Sequence, residues 1–267
     1  MIMKTVSYEF SRRADLYEEH ASVQREAATK LCHFIERNTH TDLPSPFLEI
    51  GCGTGLLSEK LIDMFPGEAI TFADLSQTML DHCAFKLRAR TSPPANDLHY
   101  HFLLQDAEKE IQNTYGTVFS SFTLQWVKDL QKTIANLVHA LDRHGALFLS
   151  VPCNDSFPQW TYFAERAGVA CTVNPLPQLT TIDELCDRLA LNMEHEQYKI
   201  TSRYPSSLSF FRSLKASGAA LSLTGTALSV PELKSLMREW DEASDESENG
   251  VSVTYSILQA KITRRGE

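Results

Sequence analysis

The chain has 267 residues, 43% of them apolar and 22% charged, an ordinary globular mixture with room for one large domain or a domain carrying an insertion. Its net charge of −9 argues against general binding to nucleic acid, whose affinity comes from neutralising phosphates. The six cysteines, at 32, 52, 83, 153, 171 and 186, form no Cys-x-x-Cys pair, so neither a zinc cluster nor a redox dithiol is suggested. With no secretory leader and no apolar run of membrane-spanning length, a cytoplasmic protein away from membranes is expected.

The first forty residues are expected to be helical. Tyr8, Phe10, Ala14, Tyr17 and Ala21 fall on one stripe, and Ala27, Leu31, Phe34 and Ile35 continue it. The bland reading is an amphipathic cover for one edge of the domain. In the functional one, Tyr17, His20 and Gln24, at steps of three and four, share a face that roofs a pocket. A polar connection, Thr39 to Pro46, follows.

The stretch Phe47-Leu48-Glu49-Ile50-Gly51-Cys52-Gly53-Thr54-Gly55 reads as a short strand, a tight glycine turn and the approach to a helix at Ser58–Phe65. Glycines suit a turn that needs unusual backbone angles and lets a ligand approach the main chain. No G-x-x-x-x-G-K-[ST] string occurs, which excludes a P-loop. The dinucleotide pattern G-x-G-x-x-G fails at its third glycine, where Leu56 stands. The string E-x-G-x-G-x-G instead resembles motif I of the class I S-adenosylmethionine-dependent methyltransferases.

Strands and helices then alternate. Ala69–Asp74 is a second strand, and Ser76–Arg90 a second helix with Ser76 as its cap. After a Ser92–Asn96 loop come a third strand, Leu98–Leu104, and a fourth, Thr117–Phe122. A helix at Leu130–Leu141 and a fifth strand at Ala146–Val151 follow. The alternation predicts an α/β fold with a mostly parallel sheet and helices on both faces, whose ligand sits beyond the carboxyl ends of the strands. Asp74, 19 residues after Gly55, is placed to accept from ribose hydroxyls, and Asp106 to meet an adenine amine. Glu49, Asp74 and Asp106 at three successive strand ends point to an adenosyl cofactor.

Beyond Pro152 the pattern changes to turn formers and aromatic residues, with helices expected at Thr181–Asn192 and Ser207–Ser217. No acidic residue occurs from Gln197 through Pro231, whereas Lys199, Arg203, Arg212 and Lys215 all fall there. In so acidic a chain that asymmetry marks either a solvated face or a cationic surface for an anionic partner or substrate. An acidic run, Glu239 to Glu248, precedes a final strand at Val251–Lys261. The expected organisation is a helical lid (1–40), a cofactor-binding α/β core (41–153), an inserted cap (154–231), and a closing helix and strand (232–267).

Longer strings narrow the resemblance. Ser120-Ser121-Phe122-Thr123-Leu124-Gln125-Trp126 resembles the S-N-L-x-x-Q-W string of the malonyl-[acyl-carrier-protein] O-methyltransferases of biotin synthesis. The opening from Phe10 to Arg25, the R-S-L-K-x-x-G-A string from Arg212 to Ala219, and the tail at Thr254-Tyr255 are similar to that family too. Ser121 stands where the family commonly has asparagine. The resemblance implies methyl transfer from S-adenosylmethionine to the free carboxyl of a malonyl thioester on acyl carrier protein, an acidic partner.

It also implies cofactor contacts from Gln24, Glu49, Gly51, Cys52, Gly53, Gly55, Asp74, Leu75, Met79, Asp106, Ala107, Ser121 and Leu124. Tyr17, His20, Gln125 and Trp126 are the candidate catalytic wall. Arg203, Arg212 and Lys215 are the candidates for the substrate's far carboxylate oxygen or for the carrier. A carboxylate is already ionised near neutral pH, so no general base is required, and no Ser-His-Asp or metal constellation is evident. The rival readings are a methyltransferase for a free small molecule, a nicotinamide-dependent dehydrogenase, and a non-catalytic adenosyl-binding protein.

Overall fold

The computed structural model describes residues 2–39, 42–90, 100–244 and 250–266. The Ser92–Asn96 loop, the start of the third strand and positions 245–248 of the acidic run lie outside the described residues.

The N-terminal stretch forms three helices rather than one: α1 (Ile2–Ser11), α2 (Ala14–His20) and α3 (Ser22–Arg37). Tyr8, expected on the buried stripe, is 58% exposed, whereas Ala14, Ala21, Ala27, Leu31, Phe34 and Ile35 are buried. Seven strands make a single sheet: β1 (Phe47–Ile50), β2 (Ile70–Asp74), β3 (Tyr100–Leu104), β4 (Tyr115–Ser121), β5 (Leu141–Pro152), β6 (Leu191–Tyr204) and β7 (Val251–Arg264). Their order is β3-β2-β1-β4-β5-β7-β6. The first five pair in parallel, and β7 runs antiparallel between β5 and β6. This is the mostly parallel α/β sheet expected from the alternation.

Helices cover both faces, as parallel strands require. On one face α3, α4 (Ser58–Met64) and α5 (Gln77–Arg90) pack on Phe47, Phe72, Phe119 and Phe148. On the other, α6 (Leu130–His139) and α8 (Leu179–Arg188) pack on Leu48, Ile50, Leu147 and Leu149. The Ser76 hydroxyl accepts from the Met79 amide at 3.2 Å, the cap expected at the start of α5.

The region after Pro152 departs from expectation. The helix predicted to reach Asn192 stops at Arg188, Ala190 turns the chain with φ 52°, and a 14-residue strand, β6, begins at Leu191. A strand so rich in Glu, His, Gln and Lys gives little apolar alternation, because it sits at the sheet edge with much of its length in water. It pairs with β7 from Leu191↔Arg264 to Tyr204↔Val251, whereas β5 reaches only Ile257 of β7. The β6–β7 ribbon therefore overhangs the sheet. Beneath the overhang lies a third core built by Ile200, Val253, Tyr255 and Ile257 together with Phe210 of α9 (Ser207–Ala216), Trp240 of α10 (Val230–Glu242), and Trp160 and Phe163 of α7 (Pro158–Arg166).

Candidate active site

The glycine turn lies at the carboxyl end of β1. Gly51, Gly53 and Gly55 have φ of 75°, 55° and 94°, values open to glycine and rarely to other residues. At Gly51 the demand is also steric, since a Cβ there would stand 2.0 Å from Thr123 Oγ1. That hydroxyl lies 3.2–3.4 Å from the carbonyls of Ser121, Gly51 and Ile50, so it fastens the β1 turn to the β4 turn.

Asp74, at the end of β2, accepts from the Gly53 amide at 2.9 Å through one oxygen and from the Ser76 amide at 2.8 Å through the other. Two fixed donors hold the carboxylate in one orientation, although burial raises its pKa. Glu49 is deeper and fully buried; the Ser58 hydroxyl donates to its Oε2 at 2.6 Å. Burial pushes the Glu49 carboxyl up to about 8, with Asp74 adding a smaller repulsion.

A cavity of about 110 Å³ opens over this turn. Of the expected cofactor residues, Gln24, Glu49, Gly51, Cys52, Gly53, Asp74, Leu75, Met79, Ala107 and Ser121 line it. Gly55 does not; its turn instead brings the backbone against α5, with a Cβ position 3.2 Å from Cys83 Sγ. Asp106 is not among the residues of the wall; one of its carboxylate oxygens accepts the Glu108 amide at 3.0 Å within its own loop, and Gln105 and Ala107 face the cavity. Leu124 is buried in the core beneath β4.

Residues not expected as cofactor contacts complete the wall, among them Val6, Ser7, Phe10, Ser76 and Thr123. Ser7 Oγ donates to the Leu75 carbonyl at 3.3 Å, and the Ser11 and Ser76 hydroxyls are 2.7 Å apart, so α1 is tied directly to the segment after Asp74. The phenylalanine–serine spacing of α1 carries this only weakly in sequence. Nothing in an isolated serine says which loop it will reach.

The cavity's charge is informative. Glu49 and Asp74 are its only Asp, Glu, Lys, Arg or His side chains among the described residues. Asp74, joined by Glu49 once a cation draws off its proton, suits a ligand that is cationic and carries ribose hydroxyls, and opposes a pyrophosphate. The position of a Cβ on Gly53 has no atom within 4 Å, so the turn leaves open space for a ligand against its backbone.

A second chamber, of about 290 Å³, adjoins the first. The two share Phe10, Tyr17, Gln24, Phe122 and Trp126 as walls. Tyr17, His20 and Gln24 do come together on it, although the chain breaks between α2 and α3 at Ala21. Phe122 has φ 53°, a left-handed conformation that costs a non-glycine residue roughly 1–3 kcal/mol. That turn swings the short 3₁₀ segment Leu124–Trp126 off the end of β4, and Gln125 Nε2 locks it by donating to the Phe122 carbonyl at 2.8 Å. Trp126 then packs edge-on against Phe10, ring centroids 5.4 Å apart.

Among the described residues no Lys, Arg, Asp or Glu lines the second chamber, and its wall is chiefly aromatic and aliphatic. Tyr17 is held as a phenol, its pKa raised by burial and by the Asp74 charge. Arg203, Arg212 and Lys215 lie outside both chambers, exposed to solvent. Arg212 and Lys215 are on the outer side of α9, whose Phe211, Ser213 and Leu214 face the chamber.

Among the described residues no helix is long and apolar enough to cross a membrane. Residues 48–147 match the family profile described as a methyltransferase domain. The chain is similar to the malonyl-[acyl-carrier protein] O-methyltransferase of Anoxybacillus flavithermus, with 30% identity over 260 residues covering 95% of each chain. It is 28% identical to the enzyme of that name from Priestia megaterium, over 97% of this chain and 96% of that one. Among solved structures, the Bacillus subtilis YcgJ protein superposes with TM-score 0.61 at 13% identity, covering 89% of this chain and all of that one. The magnesium protoporphyrin IX methyltransferase of Synechocystis PCC 6803 with bound SAH superposes at 0.53 and 15% identity, covering 90% and 82%. The sheet is thus that of a class I, Rossmann-like methyltransferase, and the chain belongs to the malonyl-[acyl-carrier protein] O-methyltransferase family.

Proposed function

We propose that this enzyme methylates the free carboxylate of malonyl-acyl-carrier protein, with S-adenosylmethionine as donor, forming the methyl ester that enters chain elongation toward biotin. The observation that carries the reading is the pairing of an acidic cavity with a chiefly apolar chamber across one shared wall of Tyr17, Gln24, Phe122 and Trp126. When bound, S-adenosylmethionine supplies an electrophilic methyl group on a cationic sulfur. Asp74 would hold its ribose hydroxyls, the glycine turn would leave room for it, and Glu49 and Asp74 would complement its charge.

In the second chamber the malonyl carboxylate is already ionised and needs no proton removed. A tight ion pair would quench its nucleophilicity. Tyr17, Gln24, Gln125 and Trp126, with His20 beside them, offer hydrogen-bonding groups instead, and among the described residues no guanidinium or ammonium group lines the chamber. Alignment along one line then accounts for catalysis, for which effective molarities reach ~10⁵ M or more. Product formation removes the charge, and the resulting ester suits the apolar wall.

The thioester end must leave the chamber toward a protein. Arg212 and Lys215 have no ion-pair partner among the described residues and stand on the exposed side of α9. We assign them, with Arg203 nearby in sequence, to the acidic carrier and the phosphate of its prosthetic arm. By the same reading α1–α3 serve as the lid, the first five strands as the cofactor core, and α7, α9 and the loops that follow them as the substrate-facing cap; nucleic acid and membrane are not partners.

The test is an assay with labelled S-adenosylmethionine. Label is expected in malonyl-carrier protein, as a base-labile ester. Equal labelling of free malonate would favour a methyltransferase for small carboxylic acids.

A further inference from the structure

Between α9 and α10 the chain runs from Ser217 to Ser229 without regular structure, and Ala219, Leu221, Ser222 and Leu228 form one side of the second chamber. Every residue from Ala219 to Ser229 is at least partly exposed, so no fully buried apolar side chain anchors this segment. The facing side is the loop after α7, which contributes Thr172, Val173 and Asn174.

Asn174 joins the two. Its Nδ2 donates to the Leu221 carbonyl at 2.7 Å, and its Oδ1 accepts from the Leu223 amide at 2.8 Å. Among the described residues these are the only hydrogen bonds that tie positions 219–228 to another element; the rest are local, between Ser222, Thr224 and Thr226. Two glycines punctuate the segment. Gly218 has φ 75° and lets the chain pass so close to Phe10 that a Cβ would stand 3.2 Å from its ring. Gly225 has φ 75° in open space.

We propose that Asn174 is a latch, a positioning residue whose side-chain amide holds the 219–228 segment closed over the second chamber. A segment with few buried contacts and a single pair of hydrogen bonds to its surroundings belongs to the least stable part of a fold, where local opening is cheap. Releasing Asn174 opens the chamber from the side of α9, between Gly218 and α10. Arg212 and Lys215 precede Gly218 by six and three positions, so a carrier docked on α9 would sit beside the hinge and feed its arm under the raised segment. That last link rests on the carrier-borne malonyl reading; the latch itself does not.

Amide hydrogen exchange on the full chain tests it, comparing the wild type with Asn174→Ala and Asn174→Asp. In Asn174→Ala the Leu223 amide and peptides within 219–228 are expected to exchange about tenfold faster, the loss of about two net hydrogen bonds. Amides of β7 and the affinity for S-adenosylhomocysteine are expected to stay unchanged. Asn174→Asp keeps the acceptor for Leu223 and loses the donor to Leu221, so it should fall between the two; it also carries the measurement if the alanine variant fails to fold. Unchanged exchange across 219–228 would overturn the latch, and so would equally faster exchange throughout β7, which marks general destabilisation. In the methyl-transfer assay, KM for malonyl-carrier protein should rise several-fold in Asn174→Ala with kcat nearly kept. If exchange behaves as expected and malonyl-carrier protein is not methylated by any variant, the latch stands and the substrate assignment falls.

Discussion

Ser58 donates to Glu49 Oε2 at 2.6 Å in a pair closed off from solvent beneath the glycine turn. The folded enzyme holds the Glu49 proton up to about pH 8, because the pair has no cation to repay desolvation of the charged form. An unfolded glutamate releases its proton near pH 4.3. Between those two values the native state therefore binds more protons than the unfolded state. Stability contributed by this group is full below about pH 4.3 and falls as pH rises toward about 8, by up to about 1.4 kcal/mol per unit. Glu49→Gln should flatten the fall, which thermal denaturation of the two proteins from pH 5 to 8 would reveal. Curves of identical slope would show that Glu49 is ionised in the fold.

A cationic ligand in the same cavity should draw that proton off. Binding of S-adenosylmethionine at pH 7 is expected to release a fraction of a proton, and S-adenosylhomocysteine, which lacks the sulfonium, to release less. Calorimetry in buffers of different ionisation enthalpy measures the difference. Equal release by both ligands, or none, would place the sulfonium charge away from Glu49.

Gly51 and Gly53 separate steric from conformational demand. Gly51→Ala places a methyl group 2.0 Å from Thr123 Oγ1 at φ 75°, so the β1 and β4 turns must part. Gly53→Ala meets no protein atom and bears only the left-handed strain, about 1 kcal/mol. The first substitution is expected to abolish measurable cofactor binding and lower stability by several kcal/mol. The second should leave the melting temperature within a few degrees while still weakening the cofactor, whose space it enters. Similar melting temperatures for the two variants would contradict the placement of Thr123.

The sequence carried the cofactor end of this molecule better than the substrate end, for a physical reason. Glycine at 51 and 53 answers backbone angles that admit few alternatives, and the carboxylate at 74 accepts from the Gly53 amide of the same turn, so residue identity and spacing suffice. Asp106 shows the limit: at an equivalent strand end one oxygen of the same residue type accepts the Glu108 amide, a local hydrogen bond that spacing does not foresee. Farther on, β6 was hidden because its polar residues belong on an exposed edge, and with it went the overhanging ribbon that brings Tyr204 and Tyr255 to the second chamber. Arg212 and Lys215 were visible as charges, yet only the helix's orientation puts them outside the chamber while Leu214 faces inward.

Those two cations should govern encounter with the carrier and nothing in the chemistry. Arg212→Glu with Lys215→Glu is expected to raise KM for malonyl-carrier protein about tenfold or more at low salt. Turnover of a malonyl thioester too small to reach α9 should stay within about twofold. Because the interaction is between exposed charges, the wild-type advantage should shrink as ionic strength rises past about 0.15 M. Steady-state kinetics across a salt series checks all three, and an equal penalty on the small thioester would move Arg212 and Lys215 from docking into substrate contact.

Tyr17 bridges the two chambers as a half-buried residue whose phenol is kept from ionising by desolvation and by Asp74. It can therefore donate a hydrogen bond to a carboxylate throughout the neutral range and above it, and cannot serve as a base there. Tyr17→Phe retains the ring that packs on Phe10, centroids 6.1 Å apart, and deletes the donor alone. If the hydroxyl positions the reacting carboxylate, kcat should fall about 10- to 100-fold while the dissociation constant for S-adenosylhomocysteine changes little. The wild-type rate should show no loss assignable to Tyr17 up to about pH 9. A drop in cofactor affinity as large as the drop in kcat would instead make Tyr17 part of the cofactor's wall, acting through the Asp74 side of the cavity and not through the substrate.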